Sequence, residues 1–543
     1  MKLRDTNGLL SWAFPVCTFF IAVWILCLPV FPSSDGSVHL YYAHISGQLL
    51  HPPGDYGVFY VLRRFAGPYS LHYMFLAALE GVVGLNEAEK LFVVLIVLLV
   101  ASGFCFLSAQ SGRNRALSSL WAVPLLLSWT MLGGFLNYSF AVGILLWSLG
   151  CWVQLRKGFS LPAFAGYSLT LLLLVLSHPV PLLLLIAWTG LDLLIMLLQK
   201  RYAGQQLPKG FWGAGFTLVL SCMAFLVPML IADHSRIKHE AASMGISLDV
   251  LHDFFSCSVL VMPDMVYGAG LAYRFVAMLI APFAVLLILY GSRERWRKGE
   301  FQDVDRAGLV LLILLLGSLF LPDTLNGSHF FAQRMWWPLW LISLAVLCGK
   351  SLPEGMRCWI QPCGVLMAVA TLAVVAFILT PVSRRIAEID ATNLPHGKRG
   401  LFLASHATQE GFGLSFCTYC WSGVRAFAHS DAILLNSPWM GITISPLRSR
   451  GNSDLFSDNP AFAERRVGTD DVIDIPANLT TLIKQDEQLR QEAYRHADFV
   501  YYIDPDSGQS AMVQSLRELG LLDANQWICN LAKNRAVCRK RAQ

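Results

Sequence analysis

Eleven apolar runs, each close to the length of a membrane span, recur between residues 9 and 380. They fall at 9–30, 88–108, 116–132, 135–155, 161–177, 179–198, 212–232, 270–291, 307–322, 335–350 and 360–380. A helix rises about 1.5 Å per residue, so roughly 20 apolar residues cross the hydrocarbon layer. In lipid a chain satisfies its backbone polar groups only as a helix or a closed barrel, and runs of this length predict helices. Charged residues are 14% of the chain, against about 25% in soluble domains. A soluble multidomain enzyme is excluded, as are disordered, collagen-like and disulfide-scaffold classes. The net charge is +5 with no long basic stripe, so a nucleic-acid partner has no support.

Basic residues set the orientation. A further run at 69–85 is apolar but short and contains His72 and Glu80. If it lies in the interface, the cytoplasmic loops carry Arg113 and Arg115, then Arg156 and Lys157, then Lys200, Arg201 and Lys209. The next carries Arg293, Arg295, Arg297, Lys298 and Arg306, and the last Lys350 and Arg357. If it spanned, all of these would face outward, against the positive-inside rule. The expected layout is therefore 11 spans, a retained first helix with a cytoplasmic N-terminus, and an extracytoplasmic C-terminus.

Composition changes after Thr380. Residues 383–543 are mixed in character and long enough for one domain. The expected division is a membrane domain at 1–382, with a first outer loop at 31–87, and a soluble α/β or α+β domain at 383–543. Residues 400–404 and 499–503 read as strands, and 479–496 and 511–519 as helices. Of the 13 cysteines, Cys417, Cys420, Cys529 and Cys538 lie in this exported part, where an oxidising compartment favours disulfides. Cys417–Cys420 with Cys529–Cys538 is the favoured pairing among three connectivities. Cys417 and Cys420 also fit a redox dithiol or half a zinc site, without the second CxxC a zinc site would want.

Unusual polar residues gather on the expected outer side. Asp35 follows the first span and is a general base, a metal ligand or a helix cap, and the functional and capping roles can coexist. His39 stands four residues on, on the same helical face. Asn137 and Tyr138 open the fourth span, and His178 with Pro179 forms an outer turn. Arg334 precedes a span on the side where positive charge is disfavoured; it suits a phosphate, or else snorkels to a lipid headgroup. The loop at 233–268 holds several His and Asp without tight metal spacing and reads as solvated. Asp192 lies toward the inner end of a span and reads as structural, paired with an inner-loop cation. Walker A, GxGxxG, GxSxG and HExxH motifs are absent.

This layout resembles the GT-C class of membrane glycosyltransferases, which includes the protein O-mannosyltransferases, aminoarabinose transferases and oligosaccharyltransferase catalytic subunits. The resemblance rests on the acid just past the first helix (Ser34-Asp35-Gly36-Ser37-Val38-His39), an interfacial helix at 69–85, and Leu85-Asn86-Glu87-Ala88-Glu89-Lys90-Leu91 opening the second span. Gly134-Phe135-Leu136-Asn137-Tyr138, Ser177-His178-Pro179, Pro322 to Arg334, Leu394 to Arg399 and Ala426 to His429 are similar to uncharacterised bacterial members. Two departures stand: Asp35 is followed by glycine rather than a second acid, and the second long outer loop has no clear Asp-x-Asp.

The resemblance implies a mostly α polytopic bundle in a bacterial inner membrane. It implies an inverting transferase that takes a sugar from a polyprenyl-phosphate donor at the outer face, among membrane lipids. Asp35 would deprotonate or orient the acceptor, and Arg334 with Lys90 would hold the lipid phosphate. His39, His178 and His329 would orient the acceptor or assist proton transfer, beside Asn137 and Tyr138. It admits a divalent cation, Mg or Mn, without naming its ligands. The rivals are a secondary transporter or lipid flippase and a non-catalytic assembly subunit. Transporters favour half-repeats and midplane polar sites, whereas these polar residues sit at one surface. A scaffold would tolerate Asp35→Asn.

Overall fold

The computed structural model describes residues 6–33, 35–50, 56–62, 69–111, 115–202, 204–208, 210–231, 303–321, 331–347, 354–404, 423–435, 447–449, 476–504, 509–532 and 535–541. His329, Cys417, Cys420, the loop at 233–268 and the expected span at 270–291 lie outside these residues.

The chain is mostly helical. After α1 (Thr6–Cys27), the segment expected as the first outer loop folds as α2 (Gly36–Leu50), α3 (Tyr56–Phe59), β1 (Tyr60–Leu62) and α4 (Ser70–Val83). Helix α4 has 14 residues, which spans about 21 Å and falls short of a bilayer core. It buries Ser70, His72, Tyr73 and Leu76 on one side. Gly84, at φ 85°, turns the chain directly into α5 (Leu85–Gln110).

The expected third span is not one helix. It comprises α6 (Arg115–Ala122), a 3₁₀ turn at Val123–Leu126 and α7 (Trp129–Leu132). Pro124 has no N–H to donate and its ring crowds the preceding turn, so the helix breaks there. Ser128, Thr130 and Ser139 link hydroxyls at 2.7 and 3.0 Å, tying the break to α8 (Leu136–Lys157).

There follow α9 (Leu161–Ser177), α10 (Pro179–Tyr202), α11 (Gly210–Ile231), α12 (Asp303–Ser318), α13 (Phe331–Leu347) and α14 (Glu354–Val374). Among the described residues, α5, α8 and α10 are long and apolar enough to cross a membrane. Helices α5 and α8 pack closely because Gly103, Gly143 and Gly150 present no side chain at their contact. Helix α14 continues through five π-helical residues, Val375–Leu379, into α15 (Thr380–Asp390).

The C-terminal part holds β2 (Arg399–Ala404), α16 (Val424–His429), β3 (Ile433–Leu434), β4 (Leu447–Ser449), α17 (Pro476–Gln485), α18 (Glu487–His496), β5 (Phe499–Ile503), α19 (Gln509–Glu518), β6 (Trp527–Ala532) and β7 (Arg535–Lys540). The stretch expected as one helix at 479–496 is two, because the Asp486 carboxylate accepts from Leu489 N at 3.0 Å and starts a new helix. Five strands form a mixed sheet in the order β3-β2-β5-β7-β6. β2 runs parallel to β3 and β5, whereas β7 runs antiparallel to β5 and β6. Cys529 and Cys538, opposite each other on β6 and β7, form a disulfide.

Strand alternation explains how this sheet sits. Leu401, Leu403, Val500 and Tyr502 face α17, α18 and α19. Phe402, Ala404, Phe499, Tyr501 and Ile503 point the other way, into a core continuous with the helical bundle. β1 pairs antiparallel with β4, so the segment between α1 and α5 also joins the C-terminal part through backbone.

Candidate functional site

Asp35 lies where the chain turns from α1 into α2. Its N–H donates to the Gly133 carbonyl at 3.1 Å, and its own carbonyl accepts from Val38 N at 3.0 Å and His39 N at 3.2 Å. Gly134 packs on this turn at φ 90°, where a Cβ would lie 2.5 Å from Gly36 N and 2.6 Å from Asp35 N. Only glycine allows that conformation and that approach together. From the other side, a Cβ on Gly36 would run into Ser33 Oγ and lie 2.8 Å from Glu89 Oε1. The backbone around Asp35 is therefore held between α5 and the turn that opens α8.

Side chains from four helices and the turn between α9 and α10 converge beside it. On α2, His39 Nδ1 bonds Tyr73 Oη at 2.8 Å, and its ring lies 5.0 Å from that of His72. His178, between α9 and α10, accepts from Val180 N through Nδ1 at 3.1 Å. That bond makes Nδ1 the acceptor, so the proton sits on Nε2, which donates to Tyr69 Oη at 3.2 Å. Tyr69 itself has φ 69°, an uncommon backbone state for an aromatic residue, and its N–H bonds Ser177 O at 3.0 Å. Asn137 and Tyr138 are buried at the start of α8, with Asn137 Oδ1 accepting from Tyr138 N at 2.8 Å. The Tyr138 hydroxyl donates to the Arg334 carbonyl.

Arg334 is buried on α13, its guanidinium carbon 4.1 Å from the centre of the Phe135 ring. Its charge acts on Asp35, His39, Tyr69, Tyr138 and His178 alike. Burial pushes the Asp35 carboxyl up to about 7, with Arg334 pulling the other way. Burial, reinforced by His72 and Arg334, drives the His39 imidazole well below its ordinary value. Burial likewise lowers His72 to about 3, against a backbone bond to Tyr69. The cluster thus pairs a carboxyl poised near neutrality with neutral histidines and one fixed guanidinium. Such a carboxyl can accept a proton at physiological pH, and such a guanidinium can hold an anion.

The structure gathers Asp35, His39, Asn137, Tyr138, His178 and Arg334 in one region. Lys90 is engaged elsewhere: Nζ donates to Leu28 O at 3.0 Å and Leu26 O at 3.3 Å, and pairs with Glu87 at 2.7 Å. It caps the end of α1 in the way a cation suits a helix C-terminus. Sequence reasoning did not single out Tyr69, His72 and Tyr73 as site residues. Their spacing of three and four residues on a short amphipathic helix was the available signal. Among the described residues, no group of three or more His, Cys, Asp or Glu converges as a metal would require, so Mg or Mn has no assigned ligands here.

No family model and no curated protein sequence matches the chain. Solved structures do. ArnT from Cupriavidus metallidurans in the apo state is 13% identical, with 98% of each chain covered and a TM-score of 0.51. The arabinofuranosyltransferase AftD from Mycobacteria is 12% identical with a TM-score of 0.52, covering 99% of this chain and 40% of AftD. The chain thus spans about two fifths of AftD's length. At these identities the likeness is one of fold, and the fold is a GT-C-like polytopic membrane bundle.

Proposed function

We propose that this chain is a membrane glycosyltransferase that moves a sugar from a polyprenyl-phosphate carrier to an acceptor at the outer face of the membrane. The observation that carries this reading is the convergence of a half-buried Asp35 and a buried Arg334 in one cluster on a GT-C-like frame. The acceptor's O–H or N–H loses its proton to the Asp35 carboxylate as its heteroatom attacks the anomeric carbon. The bond from that carbon to the phosphate oxygen breaks, and its electrons leave with polyprenyl phosphate. One displacement inverts the anomeric centre. The leaving phosphate gains negative charge, and a preorganised guanidinium in a low-dielectric pocket stabilises that charge in the transition state. Neutral His39, held by Tyr73, and His178, held by Tyr69, orient the acceptor by hydrogen bonds. The domain division at residue 382 fits a membrane unit that performs this chemistry and an extracytoplasmic unit, 383–543, that covers it.

The test is lipid analysis of the protein purified in mild detergent, comparing wild type with Arg334→Ala. Enrichment of a polyprenyl phosphate or its glycosylated form in wild type, lost in the variant, is the expected result. The lipid also supplies a donor for a transfer assay. Bulk phospholipid alone in both proteins, with no transfer from added donor, overturns the reading. Lipid movement across a vesicle without cleavage of the sugar bond would instead favour a flippase.

A further inference from the structure

Glu89 connects two places that the sequence keeps far apart. It is fully buried at the start of α5. One carboxylate oxygen, Oε1, lies against Gly36, the residue after Asp35, and has no hydrogen-bond partner among the described residues. The other, Oε2, accepts from Arg425 Nη1 at 2.7 Å. Arg425 belongs to α16 of the C-terminal part and is also fully buried. Its Nη1 reaches Asn86 Oδ1 at 3.1 Å, and its Nε pairs with Asp390 at 3.0 Å, at the end of α15.

The surrounding contacts run in the same direction. His44, on α2, meets Glu80 of α4 through Nδ1 at 2.5 Å and Asp431 through Nε2 at 2.8 Å. Tyr41 Oη donates to Ala432 O at 3.1 Å and accepts from Leu434 N at 2.9 Å. Helix α2 is therefore held at Tyr41 and His44 by residues 431–434, while Asp35 directly precedes it and His39 lies in its first turn. A buried guanidinium between two carboxylates costs heavily in desolvation, and removing one partner leaves uncompensated buried charge, so the three groups are tied to one arrangement.

We propose that Arg425 is a positioning residue for Asp35: through Glu89 it holds the Asp35–Gly36 turn, so the docked C-terminal part sets the geometry of the reacting carboxylate. The role in catalysis rests on the transferase reading above, but the positioning itself does not. Arg425 touches no reacting atom. It acts by fixing Glu89, whose Oε1 forms the floor beneath Gly36.

Hydrogen–deuterium exchange of the full chain in detergent tests this without a substrate. Arg425→Met should speed exchange about tenfold in peptides covering 31–40, the mark of a lowered local opening free energy. Peptides covering 150–157, at the other end of the bundle, should stay unchanged, and Arg425→Lys should recover part of the protection. Because Arg425→Met leaves two buried carboxylates without their cation, Glu89→Gln provides a second variant that keeps the Arg425–Asp390 pair. It should give the same local pattern. Unchanged exchange at 31–40 in either folded variant overturns the proposal, as does a uniform increase across all peptides. Where transfer is measurable, both variants should lower kcat and leave donor KM unchanged. Absence of transfer in wild type would sink the transferase reading and leave the exchange result to decide the positioning role.

Discussion

Asp35 and Asp192 each have arginine as a counter-charge, and they lie at opposite ends of the bundle, about 30 Å apart along α8. Asp192 is saturated. It accepts from Trp152 Nε1 at 3.1 Å, Arg156 Nη1 at 3.0 Å and Arg306 Nε at 2.7 Å. Both arginines also bond Asp303, at 3.2 and 2.9 Å, so two cations balance two anions and bind α8, α10 and α12 together. Asp35 is held by its backbone instead, and its carboxyl is half-buried beside one guanidinium. A carboxylate whose lone pairs are all engaged locks helices together. One whose ionisation is opposed by burial keeps its proton exchangeable near neutral pH, as proton-transfer chemistry requires.

That contrast makes opposite predictions for one substitution type. Asp35→Asn should lower sugar transfer by about 10²–10⁴-fold, the range of a general base, while thermal unfolding in detergent at neutral pH should move up rather than down, because the amide removes an ionisation that burial opposes. Asp192→Asn should do the reverse. It strips a buried partner from two arginines and should cost about 3 kcal/mol of stability, with turnover per folded molecule retained. Equal effects of the two on transfer and on unfolding would dissolve the comparison.

Gly134→Ala sharpens it at the level of backbone. The added Cβ meets main-chain atoms of Asp35 and Gly36 and takes an unfavourable φ, so the turn must move. A cost of about 1–3 kcal/mol is expected, seen as roughly a tenfold or greater loss of transfer. A wild-type rate would show that the Asp35 turn tolerates displacement.

The pH dependence follows from burial. As the proposed base, Asp35 would work only when ionised, so transfer should climb with pH through about 7. Its folded value exceeds its ordinary one, so the folded state binds the proton more tightly than the unfolded state does. Stability should accordingly fall as pH rises from 3.8 to about 7 and then level off. Asp35→Asn should remove that slope, which thermal unfolding across pH would reveal. The smallest effect on turnover is expected from Cys529→Ser with Cys538→Ser. Losing a disulfide that closes a short loop should cost about 2–3 kcal/mol, confined to the β6–β7 edge, and transfer should stay near wild type.

Much of the fold was readable residue by residue. The apolar runs at 88–108, 135–155 and 179–198 became α5, α8 and α10. Pro124 and Asp486 were local signals that a continuous apolar or amphipathic pattern overrode, and the structure breaks the helix at both. Asp35, His39, His178 and Arg334 stood out because polar groups next to lipid need a reason. Glu89 and Arg425 did not, since their meaning lies in a contact across 336 residues of chain.

The amino-acid sequence by itself determined that this protein is a polytopic helical bundle with a mixed C-terminal part. A hydrocarbon layer leaves the backbone almost no other choice, and that constraint acts locally, on each run of about 20 residues. Only the tertiary structure decided which aspartate is saturated and which is poised, that Lys90 caps a helix, and that the C-terminal part grips α2. Those outcomes depend on desolvation and on partners hundreds of residues away, and neither is a property of any segment alone.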